Sequence, residues 1–325
     1  MTQQVFVTRQ FPGEVAGPLE AAGYRVQQWT KALPPPRDVM LREAAATVGI
    51  LCSLTERIDA EVIAAAPDLR VISTFAVGVD NIELSAATAR GIPVGHTPGV
   101  LTEASADLAF ALLMAAARRI VEGADYVRAG HWKTWGPQLL LGQEVHGATL
   151  GILGMGRIGQ AMARRAQGFE MRVLYHSRSR DEAAEAKIGA QWVDFPTLLR
   201  ESDFLSLHVP LTEATYHLIG AAELAQMKPT AILINTARGP VVDSAALYAA
   251  LRAGRLAYAA LDVTDPEPIS MDDLLLTLEN CLVVPHIGSA GVATRHHMAR
   301  IMVENLLAGL RGERLPYCAN PEVYA

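Results

Sequence analysis

The sequence predicts an α/β protein built as two Rossmann-like domains with parallel sheets and a cleft between them. Short apolar runs alternate with helical patterns along all 325 residues, as parallel strands joined by crossover helices do. Mid-chain, an apolar run over 150–153 leads into Gly154-Met155-Gly156-Arg157-Ile158-Gly159 and then an amphipathic helix. That is the strand–turn–helix setting a dinucleotide-binding fingerprint requires. Roughly 150 residues precede the motif, enough for a domain of their own.

Apolar runs bounded by turn formers predict strands at 5–8, 25–29, 48–52, 70–75 and 92–95. Helices lie between them, for example over 14–22 and 60–66. Leu33-Pro34-Pro35-Pro36 reads as a rigid surface turn. Residues 101–119 read as one long helix. Its Ala-rich part, from Leu108 to Ala117, lies between Asp107 and Arg118-Arg119 and is too short to span a bilayer, so a buried helix is expected. A second series starts at Thr149, with strands at 150–153, 172–175, 204–209, 231–235, 258–263 and 282–285. The last helix, over 292–310, has no strand after it. Sent back to the first domain, it gives a discontinuous plan. Residues 1–100 plus 288–325 form the substrate domain, and 101–287 form the dinucleotide-binding domain. Two crossing segments make a hinge beside the cleft.

Half of the residues are apolar and the formal net charge is −6. No basic tract is present, so nucleic acid is not an expected partner. Cys52, Cys281 and Cys318 have neither metal nor redox spacing. No metal site is expected, and the thiols read as free, as in a reducing cytosol. The N-terminus lacks a charged stretch followed by an apolar run. A cytoplasmic protein without a membrane segment is expected.

Gly154 permits the tight turn, Gly156 lets backbone N–H groups reach a pyrophosphate, and Gly159 lets helix and strand pack closely. The positive helix end then faces the phosphates. Enzymes using NAD place an acid at the end of the next strand, about 20 residues on. Here that stretch reads Tyr175-His176-Ser177-Arg178-Ser179-Arg180, with His176 where the acid would stand. Hydroxyl and guanidinium donors suit a 2′-phosphate. Ser177, Arg178, Ser179 and Arg180 are therefore candidate contacts, and NADP(H) is favoured. NAD(H) stays open through Asp181 and Glu182, although these fit the start of the next helix better.

Hydride transfer to a carbonyl needs a proton donor, a cation for a carboxylate-bearing substrate and fixed geometry. Arg238 follows the strand at 231–235, Glu267 the strand at 258–263 and His286 the strand at 282–285. Strand carboxyl ends are where open α/β sheets bind ligands. His96, His131, His146, His208, His217, His296 and His297 read as structural.

On these motifs the chain resembles the D-isomer-specific 2-hydroxyacid dehydrogenases, and among them is most similar to glyoxylate/hydroxypyruvate reductases. The resemblance covers nearly the whole chain. It is carried by the runs Ser73 to Asn81, Asn235 to Asp243, Leu261 to Pro268 and Pro285 to Ala290, with the glycine motif. It implies the discontinuous two-domain plan, with reduction of small 2-keto acids to D-2-hydroxy acids. By the resemblance, Arg238 holds the substrate carboxylate and keto oxygen, His286 is the general acid, and Glu267 bonds its far ring nitrogen. Backbone N–H groups of Val77 and Gly78 also hold the carboxylate, and Ser289 lies beside the substrate. Asp262 contacts the nicotinamide carboxamide, while Arg157, Ile158, Val209, Pro210, Thr236 and Gly288 line the cofactor. The run Gly130 to Pro137 would be the arm of a homodimer, with Trp135 reaching the partner's active site. Leu54, Val77 and that tryptophan imply a small pocket. Short phosphoglycerate and hydroxyphenylpyruvate types stay open. So does a different class, a corepressor-like protein that keeps the cofactor site without turnover.

Overall fold

The computed structural model describes residues 2–325. The chain forms two compact units: one runs to Leu101 and resumes over Ala290–Ala325, the other is Thr102–Ser289.

In the first unit β1 (Gln4–Val7), β2 (Arg25–Gln28), β3 (Gly49–Cys52), β4 (Val71–Thr74) and β5 (Val94–Gly95) alternate with α1 (Ala16–Ala21), α2 (Arg37–Ala44), α3 (Ala60–Ala65) and α4 (Leu84–Ala89). All strand pairs are parallel, in the order β2-β1-β3-β4-β5. β1, β3 and β4 are buried at every residue, the continuous apolar run of strands covered on both faces. Edge strand β2 alternates exposed and half-buried residues. One sheet face packs Phe6, Ile50 and Ile72 with Val62 and Ile63 of α3. The other packs Val5, Leu51 and Val71 with Met302, Leu306 and Leu310 of the C-terminal helix Val292–Leu310. Close approach there requires Gly309, where a Cβ would lie 2.6 Å from the Val71 Cβ. The tail then returns to the sheet edge. Cys318 pairs with Gly95 in an antiparallel bridge, and the buried Asn320 side chain accepts from Val94 N at 2.8 Å.

The second unit runs α5 (Thr102–Ala117), α6 (Ile120–Arg128), β6 (Thr149–Leu153), α7 (Arg157–Gln167), β7 (Arg172–His176), α8 (Glu182–Ile188), β8 (Gln191–Trp192) and α9 (Phe195–Glu201). It continues with β9 (Phe204–Leu207), α10 (Ala221–Leu224), β10 (Ile232–Asn235), α11 (Ser244–Arg252), β11 (Tyr258–Leu261) and β12 (Cys281–Val283). Its seven strands are parallel, in the order β12-β11-β10-β9-β6-β7-β8. Leu113, Ile152, Tyr175 and Ile234 fill one side of this sheet; Leu153, Leu205, Leu233 and Leu247 fill the other.

Strand order reverses between β1 and β3 in the first unit and between β6 and β9 in the second. At such a switch point the flanking loops splay to opposite faces, which opens a crevice at the carboxyl ends of the strands.

The helix expected over 101–119 is α5, and α6 follows it after a two-residue turn. α5 stops at Ala117, whose carbonyl accepts from Gln143 N at 2.8 Å. Gly142 passes so close that a Cβ there would sit 2.2 Å from the same carbonyl oxygen. Arg119 then adopts φ +50°, and its Nε donates to Glu122 at 2.7 Å. Among the described residues no helix is long and apolar enough to cross a membrane. None of their His, Cys, Asp and Glu side chains are grouped to hold a metal, and the three cysteines are free.

Candidate active site

The glycine turn sits at the second unit's switch point. Gly154 has φ +98°, and a Cβ there would lie 2.8 Å from the backbone carbonyl of His208, just past β9. At Gly159 a Cβ would lie 2.2 Å from Gly154 O, so helix and turn meet only through glycine. Gly156 caps α7 without a side-chain hydrogen bond, and a Cβ there would meet nothing within 4 Å. The space over the start of α7, where Arg157 and Ile158 lie, is therefore open to an anion. Ser177 Oγ accepts from Met155 N at 2.8 Å, which ties the turn to the end of β7. His208 bonds Ser206 Oγ through Nε2 at 2.9 Å, and loss of surrounding water pushes its pKa down to about 4. Val209 and Pro210 follow it.

At the end of β7, His176 Nδ1 donates to Val193 O at 2.9 Å, and its ring packs beside Trp192 and Phe195. Arg180 is committed to Glu185 through Nε at 2.8 Å and Nη2 at 2.7 Å, which holds the Glu185 carboxyl below the usual carboxylate range. Asp181 caps α8 by accepting from Ala184 N at 2.9 Å. Arg178 and Ser179 are exposed. Among the described residues the Arg178 guanidinium has no ion-pair partner.

Arg238, Glu267 and His286 follow the adjacent strands β10, β11 and β12. The turn that carries Arg238 is built by Asn235. Its Oδ1 accepts from Ala237 N at 3.0 Å and its Nδ2 donates to Arg238 O at 2.9 Å, an Asx turn. Next to it, a Cβ at Gly239 would fall 1.9 Å from Thr264 O. The Arg238 turn is thus pressed against the loop that carries Glu267.

His286 Nδ1 donates to Glu267 Oε1 at 2.5 Å. His286 has φ +50°, a left-handed backbone that costs of the order of 1 kcal/mol for a residue with a side chain. Asp262 holds it there. The Asp262 carbonyl accepts from His286 N at 2.9 Å, while its carboxylate accepts from Ile287 N at 2.6 Å and Gly288 N at 2.8 Å. Gly288 packs closely here: a Cβ would lie 3.0 Å from Asp262 Oδ2. Burial pushes the Asp262 carboxyl above its ordinary pKa, against the two N–H bonds. Nearby, Thr236 Oγ1 is buried without a hydrogen-bond partner.

An open helix N-terminus, an orphaned hydroxyl and an unpaired surface guanidinium all fit a dinucleotide. A separate cavity of about 450 Å³ is lined by Arg119, Gly142, Ala257, Tyr258 and Asn280. It lies by the amino ends of β10–β12, the wrong end of the sheet for this chemistry.

In the first unit, Val77 and Gly78 follow β4. Neither backbone N–H has a partner among the described residues. His96, read as structural from sequence, fixes their loop: its Nδ1 donates to Val77 O at 3.0 Å. Ser289 ends the second unit. Trp135 is 77% exposed, and Trp132, Ile120, Val127 and Leu141 around it in sequence are exposed as well.

Residues 110–288 match the family model of the D-isomer specific 2-hydroxyacid dehydrogenase NAD binding domain. A glyoxylate reductase of Korarchaeum cryptofilum is 52% identical over 99% of this chain and 97% of its own. Among solved structures, the TT0316 protein of Thermus thermophilus superposes with a TM-score of 0.93 at 48% identity, covering 98% of this chain and 100% of that one. An NADPH-dependent glyoxylate/hydroxypyruvate reductase of Sinorhizobium meliloti, solved with NADP and malonate, gives 0.84 at 32% identity, over 99% of this chain and 98% of that one.

Proposed function

Since the chain belongs to the D-isomer-specific 2-hydroxyacid dehydrogenases, and is therefore an oxidoreductase with a nicotinamide-binding domain, we propose that it is an NADPH-preferring reductase of small 2-keto acids. Glyoxylate and hydroxypyruvate are its substrates and D-2-hydroxy acids its products. The observation that carries this reading is the His286–Glu267 pair at 2.5 Å, beside Arg238 and on the sheet that bears the open glycine turn.

The reduced nicotinamide, when bound, supplies the hydride. The chain's residues do the rest. The Arg238 guanidinium binds the substrate carboxylate and keto oxygen, and the free N–H groups of Val77 and Gly78 take the carboxylate. His286 gives the keto oxygen its proton from Nε2. Glu267 accepts a hydrogen bond from Nδ1–H, which fixes the ring and aims Nε2. Asp262 keeps two lone pairs beyond those used by Ile287 and Gly288, so it can also meet the nicotinamide carboxamide. Arg157, Ile158, Val209, Pro210, Thr236 and Gly288 line the cofactor, and Ser289 lies by the substrate. The exposed apolar run around Trp135 is covered in a homodimer, and Trp135 reaches the partner's site. The chain works in the cytoplasm.

NADPH preference rests on His176 in place of an acid and on Arg178, with Ser177 and Ser179 adding hydroxyls. Arg180 supports the loop through Glu185 more than it offers free charge. Arg178→Ala is expected to weaken NADPH binding about tenfold while changing NADH little, as for one lost bond to a charged group. Fluorescence titration of both reduced cofactors checks this; equal losses reject a 2′-phosphate contact.

The function is tested with a panel of 2-keto acids against both reduced cofactors, followed by near-ultraviolet absorbance. Steady loss of NADPH signal is expected with glyoxylate and hydroxypyruvate, and little with phenylpyruvate. Cofactor binding without turnover of any keto acid would reject the enzyme in favour of a binding protein.

A further inference from the structure

The first unit has its own switch point, between β1 and β3, and a buried carboxylate closes it. Glu56 is 3% exposed. Its Oε2 accepts from Thr8 Oγ1 at 2.7 Å and Ser53 N at 2.6 Å. Its Oε1 accepts from Arg9 Nε at 3.0 Å, Thr55 Oγ1 at 2.6 Å and Ser53 Oγ at 3.2 Å. Thr8 and Arg9 follow β1; Ser53 and Thr55 follow β3. Glu56 thus folds its own turn shut and ties it to the end of the neighbouring strand.

The closed turn presents two carbonyls to one side chain. Asn81 Nδ2 donates to Ser53 O at 2.9 Å and to Glu56 O at 2.7 Å. Ile58 N donates to Asn81 O at 2.9 Å, and Glu83 N to Ile58 O at 2.9 Å. The 53–58 segment is in this way zipped to the loop that bears Val77 and Gly78. On the other side of that loop, Thr97 N holds Ala76 O at 2.9 Å and His96 holds Val77 O. The two free N–H donors therefore point where these clamps aim them.

We propose that Glu56, acting through Asn81, is a positioning residue that aims the Val77 and Gly78 N–H groups at the substrate carboxylate. The inference rests on the reductase reading for the identity of that carboxylate. A buried carboxylate with five donors has no isosteric replacement. In Glu56→Gln one end becomes an NH2 group, and it meets either the Ser53 N–H or the Arg9 Nε–H, neither of which can rotate away. The turn must open, and Asn81 loses its acceptors. Misplacing a binding group by about 1 Å costs up to about 10² in rate.

Two measurements on the full-length protein decide it. In steady state, Glu56→Gln is expected to raise the KM for glyoxylate about tenfold or more, with kcat within about threefold and NADPH affinity within about twofold. By amide hydrogen exchange, residues 76–82 should exchange faster than in the parent while residues 150–160 do not. A folded variant with parental KM and parental exchange over 76–82 overturns the proposal. So does a variant that loses kcat and cofactor affinity with no KM change. If Glu56→Gln does not fold, Asn81→Ala must show the same KM rise and faster exchange; their absence overturns it. Should the parent fail to reduce any keto acid, the functional reading falls, and the exchange arm alone still decides whether Glu56 sets this loop.

Discussion

Replacing His286 with alanine is expected to lower turnover by about 10² to 10⁴, the usual contribution of a positioned general acid, and to leave NADPH affinity within about twofold. The selectivity follows from how the residue is held. Its backbone is fixed by the Asp262 carbonyl at 2.9 Å, and the two residues after it by the Asp262 carboxylate. None of these bonds involves the imidazole. Alanine at φ +50° carries much the same backbone cost as histidine there, so the turn and Gly288 stay in place. What disappears is the proposed proton donor at Nε2 and the partner of Glu267. Single-turnover decay of NADPH absorbance with saturating glyoxylate measures the first effect, and fluorescence titration the second. Parental turnover in a folded variant would remove His286 from the chemistry.

Much of this site is legible in the sequence because its signals are local. The glycine spacing, and the polar residue just past each of three apolar strands, state both the residues and the sheet edge where they gather. The strands themselves are read to within one or two residues, as buried parallel strands are nearly continuous apolar runs: 204–209 was expected where β9 covers Phe204–Leu207. Short edge elements are different. β8 is Gln191–Trp192, two exposed residues with no periodicity to detect. α2 follows directly on Pro36, its N-cap, so the proline run read as a surface turn is also a helix start. α5 lies within the expected 101–119 and ends two residues short of it, where the chain returns at Gly142 and Gln143 to take the Ala117 carbonyl.

The residues that support the site were hidden for a similar reason. Glu56 lies in Ser53-Leu54-Thr55-Glu56, a polar run that reads as an ordinary loop. Its partners Thr8 and Arg9 are more than forty positions away, and only the parallel pairing of β1 with β3 brings them to it. The positive φ of His286 and the capture of Ile287 and Gly288 by Asp262 are likewise consequences of β11 lying beside β12. A sequence shows which groups can do chemistry; which groups aim them depends on strand adjacency, which no local spacing encodes. His176 shows the same limit. The absence of an acid there can be read from the chain, but not that the His176 ring packs with Trp192 and Phe195.

Arg238→Lys keeps the positive charge and is expected to lower kcat/KM for glyoxylate by about 10² to 10³, with KM rising and kcat falling together. A guanidinium presents parallel N–H donors in a plane and can bind a carboxylate while also reaching the keto oxygen; an ammonium is a point charge on a flexible stem. Losing two charge-assisted bonds costs about 3–4 kcal/mol, which is the fold-change just given. The guanidinium gives its own turn one bond, from Nη1 to Ala237 O at 2.8 Å, but most of the turn is built from other atoms. The Asx turn of Asn235 uses main-chain atoms of Ala237 and Arg238, and the tight contact at Gly239 is with the Thr264 carbonyl. The variant should therefore fold and bind NADPH as the parent does. Because the guanidinium is expected to touch the keto oxygen as charge develops there, its loss must appear in kcat as well as KM. A KM rise with parental kcat would confine Arg238 to ground-state binding, and a kcat/KM within about threefold of the parent would end its role as the substrate's cation. Free guanidinium added to Arg238→Ala gives an independent check, since partial recovery of turnover with unchanged NADPH affinity is expected only if the missing group acts at the substrate.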